Sequence, residues 1–346
     1  MPCMKIYIAC PADCFTGGPT LLHQFCKALL DDGCDATMLY YVGVGSRSRK
    51  VQCHPQYEKY QCGFVELDAV EDESSNYLIV PETKTDLLFN FQSIKKVIWW
   101  LSVDNYILGK LPFFGKVSKR IFKSKSTKDF IDYRFIKERP ELASRNIRHL
   151  VQSEYARQFL NQLEVPHSHV FDLKDYVEDS FFVNPEEDSG NKREDIVLYN
   201  PKKMGAIVSK AIKAYPEVHF YPLQNMTPVQ VREKMMNSKV YIDFGNHPGM
   251  DRIPREAAMC GCCIITGMRG SAGNDLDVPI PNKYKIQDEA SPKELRDIIV
   301  EIFDNYDRVR CDFDAYREEI KLQKSKFYSD VRSVEALLFE GDWRDE

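Results

Sequence analysis

No apolar run in the chain approaches the roughly 20 residues that a membrane-spanning helix requires, so the expectation is a soluble or peripheral protein. An excess of positive charge is also missing. Lys and Arg number 47 against 52 Asp and Glu, a formal net charge of −5, and no global basic field is left to gather nucleic acid. Nucleic acid is therefore not expected as a partner. The first ten residues hold an apolar core too short for a signal peptide and read directly as a strand. The eleven cysteines are scattered, with no spaced pairs of the kind that build zinc sites. Cys260, Cys262 and Cys263 suit a buried corner between a helix and a strand, and Cys10 and Cys14 receive the same reading. A reducing cytoplasm is the expected compartment. No internal repeat is present.

What the chain has is enough apolar material to fold. Its 346 residues are 43% apolar, 12% aromatic and 29% charged, the profile of a globular protein. That length suits two domains of roughly 150 residues each, and two domains imply a cleft. Residues 5–10 read as a strand, the turn-rich 11–19 as a loop, and Leu21, Leu22, Phe25, Leu29 and Leu30 as a helical stripe. Further strands are expected at 36–42, 77–81, 87–91, 96–101 and 149–152, with Ser153 capping a helix that runs through Leu163. The polar, acidic stretch 184–195 reads as a linker. Beyond it strands at 196–199, 218–221, 240–243 and 262–266 alternate with helices at 205–214, 228–236 and 254–259. Residues 291–321 and 325–340 read as two amphipathic helices, the last free to pack back on the N-terminal domain. Short strands alternating with helices indicate parallel sheets. The expected architecture is α/β, with a Rossmann-like domain at 1–183, a linker at 184–195, a second Rossmann-like domain at 196–320 and a C-terminal helix at 321–346.

The chemistry concentrates in the stretch from Asp243 to Thr266. An apolar strand runs into a glycine-bearing loop and then into a helix carrying Arg252, Arg255 and Glu256 near its start. Ligands of open α/β sheets sit outside the carboxyl ends of the strands, and a helix N-terminus supplies unpaired N–H groups and partial positive charge. Arginine forks suit phosphate oxygens. A carboxylate at Glu256 suits ribose hydroxyls, although a favourable first-turn acid would look the same.

Here the sequence resembles the GT-B glycosyltransferases, in particular their retaining superfamily (glycosyltransferase group 1/4-like). Pro254-Arg255-Glu256-Ala257-Ala258-Met259-Cys260-Gly261 is close to that family's Pro-x-x-Glu-Ala-Met-Ala-x-Gly helix start, with one residue fewer between proline and glutamate. Residues 196–203 fall where the family has a strand followed by basic residues that grip the donor diphosphate, which assigns Lys202 and Lys203 to that grip. Thr16-Gly17-Gly18 resembles the family's diglycine loop, whose bare backbone approaches phosphate or sugar, which assigns Gly17 and Gly18 to the donor site as well. The resemblance covers most of 196–270 and, more loosely, the first 30 residues. It implies a metal-independent glycosyltransferase with no cofactor, using a nucleotide-diphosphate sugar, a UDP-sugar favoured, and a saccharide or lipid-linked glycan acceptor in surface polysaccharide synthesis.

In one respect the sequence departs from the family. The first acid of the family's Glu-x7-Glu pattern falls on Pro248, with His247 and Asp251 as the nearest polar groups. Inverting GT-B enzymes instead use a base from the N-terminal domain, which makes Asp104 the first candidate and Asp13 the second. Asp275-Leu276-Asp277 matches the metal-binding Asp-x-Asp motif formally, but its Gly/Asn/Pro-rich surroundings read as a solvated loop. Gly43-Val44-Gly45-Ser46-Arg47-Ser48 lacks the helix that a dinucleotide fingerprint needs, which disfavours an oxidoreductase. Residues 105–128 hold seven basic residues and no acid from Lys110 onward, and such a segment can dock on anionic lipid or stay solvated. The rival from another class is a non-catalytic nucleotide-sugar-binding or scaffolding protein that kept the pocket and lost transfer.

Overall fold

The computed structural model describes residues 4–42, 51–110, 136–183 and 192–340. The chain divides into two compact units. Among the described residues, 4–42, 51–110, 136–175 and 325–340 form the first, and 176–183 with 192–324 the second. The Gly43–Ser48 motif, most of the basic segment 105–128 and residues 184–191 of the expected linker lie outside the described residues.

The first unit is built on a seven-stranded parallel sheet. Its strands are β1 (Lys5–Pro11), β2 (Asp35–Tyr41), β3 (Phe64–Val65), β4 (Tyr77–Pro81), β5 (Lys95–Trp100), β6 (Ile147–Val151) and β7 (Val170–Asp172), in the order β3-β2-β1-β4-β5-β6-β7. Ile6 to Cys10 are all buried, as a strand covered on both faces demands. Helix α1 (Gly17–Asp31) follows β1 and buries Leu21, Leu22, Phe25 and Leu29. Helix α2 (Val103–Lys110) follows β5, and α3 (Glu154–Gln162) follows β6. The Ser153 hydroxyl accepts the Ala156 N–H and caps α3.

The second unit carries a four-stranded parallel sheet of β8 (Glu194–Tyr199), β9 (His219–Pro222), β10 (Ser238–Asp243) and β11 (Cys263–Thr266), in the order β11-β10-β8-β9. Around it stand α4 (Gly205–Ala214), α5 (Pro228–Met236), α6 (Arg252–Met259) and α7 (Pro292–Asp304). Thr227 and Gln230 form a reciprocal capping box at the start of α5. The described residues end in α8 (Asp314–Glu340), whose residues through Lys324 belong to the second unit and whose later residues belong to the first.

Several elements differ from the sequence reading. Residues 87–91 are not a strand: Glu82–Asn90 is helical, kinked at Lys84, with Thr85 and Leu88 buried three residues apart. A short apolar run fits either period, and here the helical one wins. β3 and β7 are too short to show alternation. The expected break at 321–325 does not occur, because Leu322-Gln323-Lys324-Ser325 contains nothing that stops a helix; the interruption lies at Asn305 instead. The expected linker also runs too far, since β8 already begins at Glu194. Arg193 is only 8% exposed. Its guanidinium donates to the carbonyls of Met235 (3.1 Å), Ser238 (3.1 Å) and Cys260 (2.6 Å), and Gly261, at φ +92°, leaves the space that a Cβ would take from it.

Each strand order has a point where it reverses. In the first sheet it lies between β1 and β4, and in the second between β8 and β10. Ligands of open α/β sheets bind at the carboxyl ends of the strands beside such a point.

Replacing Arg193 by Met takes the guanidinium from three buried carbonyls and leaves those of Met235 and Ser238 only the weak donor Cys262 Sγ. Urea unfolding of Arg193→Met should show a loss of about 2–4 kcal/mol, against under ~0.5 kcal/mol if the arginine were a solvated linker residue.

Candidate functional site

The reversal point of the second sheet is lined by the segments after β8 and β10. After β8, Asn200 accepts the Lys202 N–H at 3.0 Å and starts the tight turn Pro201–Lys203. After β10, the chain passes through Phe244 and Gly245 before entering α6. The two segments touch. The Phe244 N–H donates to the Lys203 carbonyl (3.2 Å), and a Cβ on Gly245 would lie 2.6 Å from that of Lys203, so only glycine allows the approach. Lys202 is exposed at the turn, and Lys203 is half-buried.

Lys203 reaches across to the Asp251 carboxylate. His247, 1% exposed, stands between two acids: Nδ1 lies 3.0 Å from Asp251 Oδ2 and Nε2 lies 3.2 Å from Asp243 Oδ1. An imidazole facing a carboxylate on each side is satisfied only when both nitrogens carry protons. Burial opposes that charge, but Asp243 and Asp251 outweigh it and hold the His247 pKa above its ordinary value. Asp243 responds in kind: burial pushes its carboxyl up, and His247, Lys203 and the Gly245 N–H pull it below its ordinary value. Two acids and two bases leave the group neutral. Asp243, His247 and Asp251 offer ligand atoms within 4.8 Å of one another, a spacing a metal ion could use. The Lys203 ammonium on Asp251, though, already supplies the positive charge there.

Asp251 is the N-cap of α6, yet its side chain makes no capping bond. It is turned to His247 and Lys203, which leaves the first N–H groups of α6 without a side-chain cap. Helix α6 begins at Arg252, two residues before the expected Pro254. Proline at the third position still falls where an N–H has no intrahelical partner. Glu256 is consequently the fifth helical residue, half-buried and outside the first turn, so a helix-dipole role does not account for it. Arg252, half-buried, opens the helix one turn before it.

Arg255 departs from its expected role. It is 1% exposed, and its guanidinium donates to the carbonyls of Met250 (3.0 Å) and Asp251 (3.1 Å) and to Gln323 Oε1 (2.7 Å). A fork committed to the loop is not open to a phosphate, and Arg255 instead braces the segment that carries Asp251. Gly270 braces the same segment from the other side. At φ +62°, a Cβ there would lie 2.0 Å from the His247 carbonyl oxygen, and the Ser271 N–H donates to that oxygen at 2.8 Å. Asp275 and Asp277 do not form a pair: the first bonds Lys285 (2.6 Å) and the second Asn274 (2.8 Å).

Gly17, Gly18, Asp13 and Asp104 belong to the first unit and gather near its own reversal point only in part. Gly17 and Gly18 open α1, and Gly18 lines a cavity of about 220 Å³ at the carboxyl ends of β1, β4 and β5. Asp13 is exposed in the loop after β1, in the left-handed region at φ +48°. Asp104 lies four residues beyond the end of β5. It sits in the first turn of α2, 5% exposed, and Oδ1 accepts the Tyr155 hydroxyl at 3.0 Å. It is not among the residues that line the cavity.

Glu82 was not among the expected site residues. It follows β4 directly, lines the cavity while only 2% exposed, and accepts the Leu101 N–H at Oε2 (3.0 Å). Burial pushes its carboxyl up to about 8, against the pull of the Leu101, Glu82 and Ser102 N–H groups. The signal was present in the sequence: a lone acid immediately after the apolar run Tyr77-Leu78-Ile79-Val80-Pro81. Lys110, the first base of the basic segment, is turned inward to Glu141 (2.7 Å) and Thr85 (2.8 Å).

The sequence matches no protein-family model and no curated protein. Solved structures match over nearly the whole chain. A glycosyltransferase from Rickettsia africae ESF-5 superposes with a TM-score of 0.63 at 12% identity, covering 99% of this chain and 100% of that one. Sucrose-phosphate synthase from Thermosynechococcus elongatus gives 0.66 at 11% identity, covering 97% and 99%. HepE from Anabaena, in complex with UDP-glucose, gives 0.61 at 11% identity, covering 96% and 99%. Two parallel Rossmann-like sheets, matched end to end by these enzymes, give the chain the fold of the GT-B glycosyltransferases.

Proposed function

We propose that the chain is a glycosyltransferase that moves a sugar from a nucleotide-diphosphate donor, a UDP-sugar favoured, to a saccharide or lipid-linked glycan acceptor in surface-glycan synthesis. The observation that carries this reading is the convergence at the reversal point of the second sheet. There the Pro201–Lys203 turn meets a helix start whose cap residue is turned away to an ion pair. Lys202, the uncapped N–H groups of α6 and Arg252 supply positive charge for a diphosphate, with Lys203 beneath them. Such preorganised charge stabilises a leaving diphosphate without calling on a metal. Glu256, one helical turn beyond Arg252, takes the ribose hydroxyls. Arg255 serves by positioning the loop rather than by touching the donor. UDP-glucose on a HepE of the same fold supports the donor class. The first unit takes the acceptor side of the reaction. No helix among the described residues is long and apolar enough to cross a membrane, in keeping with a cytoplasmic enzyme that meets any lipid-linked acceptor from the surface.

Two measurements test this assignment. Glu256→Ala should weaken UDP-sugar binding about 10- to 100-fold, the equivalent of ~1.4–2.8 kcal/mol, with its melting temperature unchanged; calorimetry showing unaltered affinity would refute the role. His247 tests the charge group through pH. Its folded pKa is raised, so its contribution is complete below about 6.5 and fades as pH climbs through the folded value; that of Asp243 is lowered, so its contribution is complete above about 3.8 and fades as pH falls through its folded value. The stability gap between wild type and His247→Gln should thus reach about 3 kcal/mol near pH 6 and narrow by pH 9 in urea titrations.

A further inference from the structure

Helix α1 and the segment that covers it bring two cysteines face to face. The segment opens with a short 3-10 helix, Pro55–Tyr60, which is seated on α1 through Tyr57. The Tyr57 ring stacks on that of His23, with centroids 4.1 Å apart, and its hydroxyl donates to the Thr16 carbonyl at 3.1 Å. Gln61 then turns the chain in the left-handed region, at φ +53°, with its N–H on the Glu58 carbonyl (3.0 Å). Few side chains are accepted in that conformation, and here the turn delivers Cys62 to the helix. Beyond it the Gly63 carbonyl accepts the Met38 N–H of β2 at 2.9 Å, so Cys62 is held from both sides.

Cys62 Sγ lies 3.7 Å from the His23 carbonyl oxygen. A helical side chain reaches the carbonyls three and four residues before it, so the side chains beside that oxygen are those of Cys26 and Lys27. The Cys26 and Cys62 thiols are hydrogen-bonded to one another. Cys26 is fully buried and Cys62 only half-buried. Their contact raises the Cys26 thiol, with burial adding to it, and lowers that of Cys62 against its own burial, with the Lys27 ammonium helping. Cys10, Cys34, Cys260, Cys262 and Cys263 are instead pushed up by burial. An accessible thiol poised beside a buried resolving one is the arrangement of a redox-responsive cysteine pair.

We propose that Cys26 and Cys62 form a reversible thiol–disulfide modification site, with Cys62 as the attacking thiol, Cys26 as the resolving one and a low-molecular-weight disulfide of the glutathione class as oxidant. The proposal is independent of the glycosyltransferase reading. The Cys62 thiolate attacks one sulfur of glutathione disulfide; that S–S bond breaks, one glutathione leaves and takes up a proton, and the other stays bonded to Cys62. Cys26 then loses its proton and attacks the Cys62 sulfur, and the mixed disulfide breaks as the second glutathione leaves and is protonated. Two protein thiols are oxidised to one disulfide, and one glutathione disulfide is reduced to two thiols. Excess thiol runs the exchange backwards, so in a reducing cytoplasm the bond forms only when the poise turns oxidising. Once formed, it ties the covering segment to α1. Through Tyr57 that segment supports the Thr16 carbonyl, at the cap of the helix that Gly17 and Gly18 begin.

The test incubates the reduced full-length chain with glutathione disulfide. Mass spectrometry should show the loss of two hydrogens with no glutathione retained at either position, and peptide mapping should place the bond between Cys26 and Cys62. The melting temperature should rise by roughly 5–10 °C and return when dithiothreitol is added. Cys26→Ser should instead keep glutathione on Cys62, and Cys62→Ser should leave Cys26 unmodified. A wild type that stays reduced at both positions, that keeps glutathione on Cys62, or that pairs either cysteine with a different one overturns the proposal. A measurement on native wild type alone covers the case in which a variant does not fold. Brief alkylation with iodoacetamide should label Cys62 about 10-fold or more ahead of Cys26, and equal rates or the reverse order overturn the assigned roles.

Discussion

Two acids and two bases under the start of one helix set the terms for the rest of the second unit. Asp243, His247, Asp251 and Lys203 come from the end of a strand, a loop, a cap position and a separate turn, and each is held in place by the others. Buried charges survive only when paired. Because Asp251 is committed to that pairing, it does not cap α6, and the first N–H groups of the helix are left without a side-chain cap. The cost of a missing cap, about 1 kcal/mol, is small beside the cost of an unpaired buried charge. Arg255 and Gly270 then hold the loop in that arrangement from opposite sides.

Much of this architecture is legible in the sequence, and the legible parts share a cause. α4 and α5 begin and end at the expected residues because Gly205, Thr227 and Pro228 state their boundaries in local chemistry. The parallel order of the sheets follows from apolar strands alternating with helices. What the sequence did not show depends on partners far away in the chain. Leu87-Leu88-Phe89 carries no local mark that separates a strand from a helix. Arg193 looks like part of a charged linker until three carbonyls from residues 42 to 67 positions later close around it.

The same reasoning separates the site residues. Lys203 and the Arg252 helix start are brought together because the fold places both at one reversal point. Arg255 and Glu256, adjacent in sequence, take different faces of α6, and that face decides which one is buried. Asp104 and Glu82 differ for a similar reason. Each follows an apolar strand, but one turns into the first turn of a helix against Tyr155, and the other turns toward the cavity. Residue type announces that a carboxylate is present; only packing decides whether it can meet a substrate.

The last helix has a bearing on how the molecule is made. Its residues beyond 324 complete the first unit: Asp330 accepts the Lys174 N–H (3.1 Å), Glu335 accepts from Cys34 (3.6 Å), and the Leu338 carbonyl accepts from Tyr77. The first unit is therefore completed by residues that follow the whole of the second unit in the chain, so during synthesis it waits for them while the second unit already has all of its described parts. A nascent chain halted between residues 324 and 340 would hold a second unit with all its described residues and a first unit still lacking part of its surface, the kind of intermediate that chaperones hold.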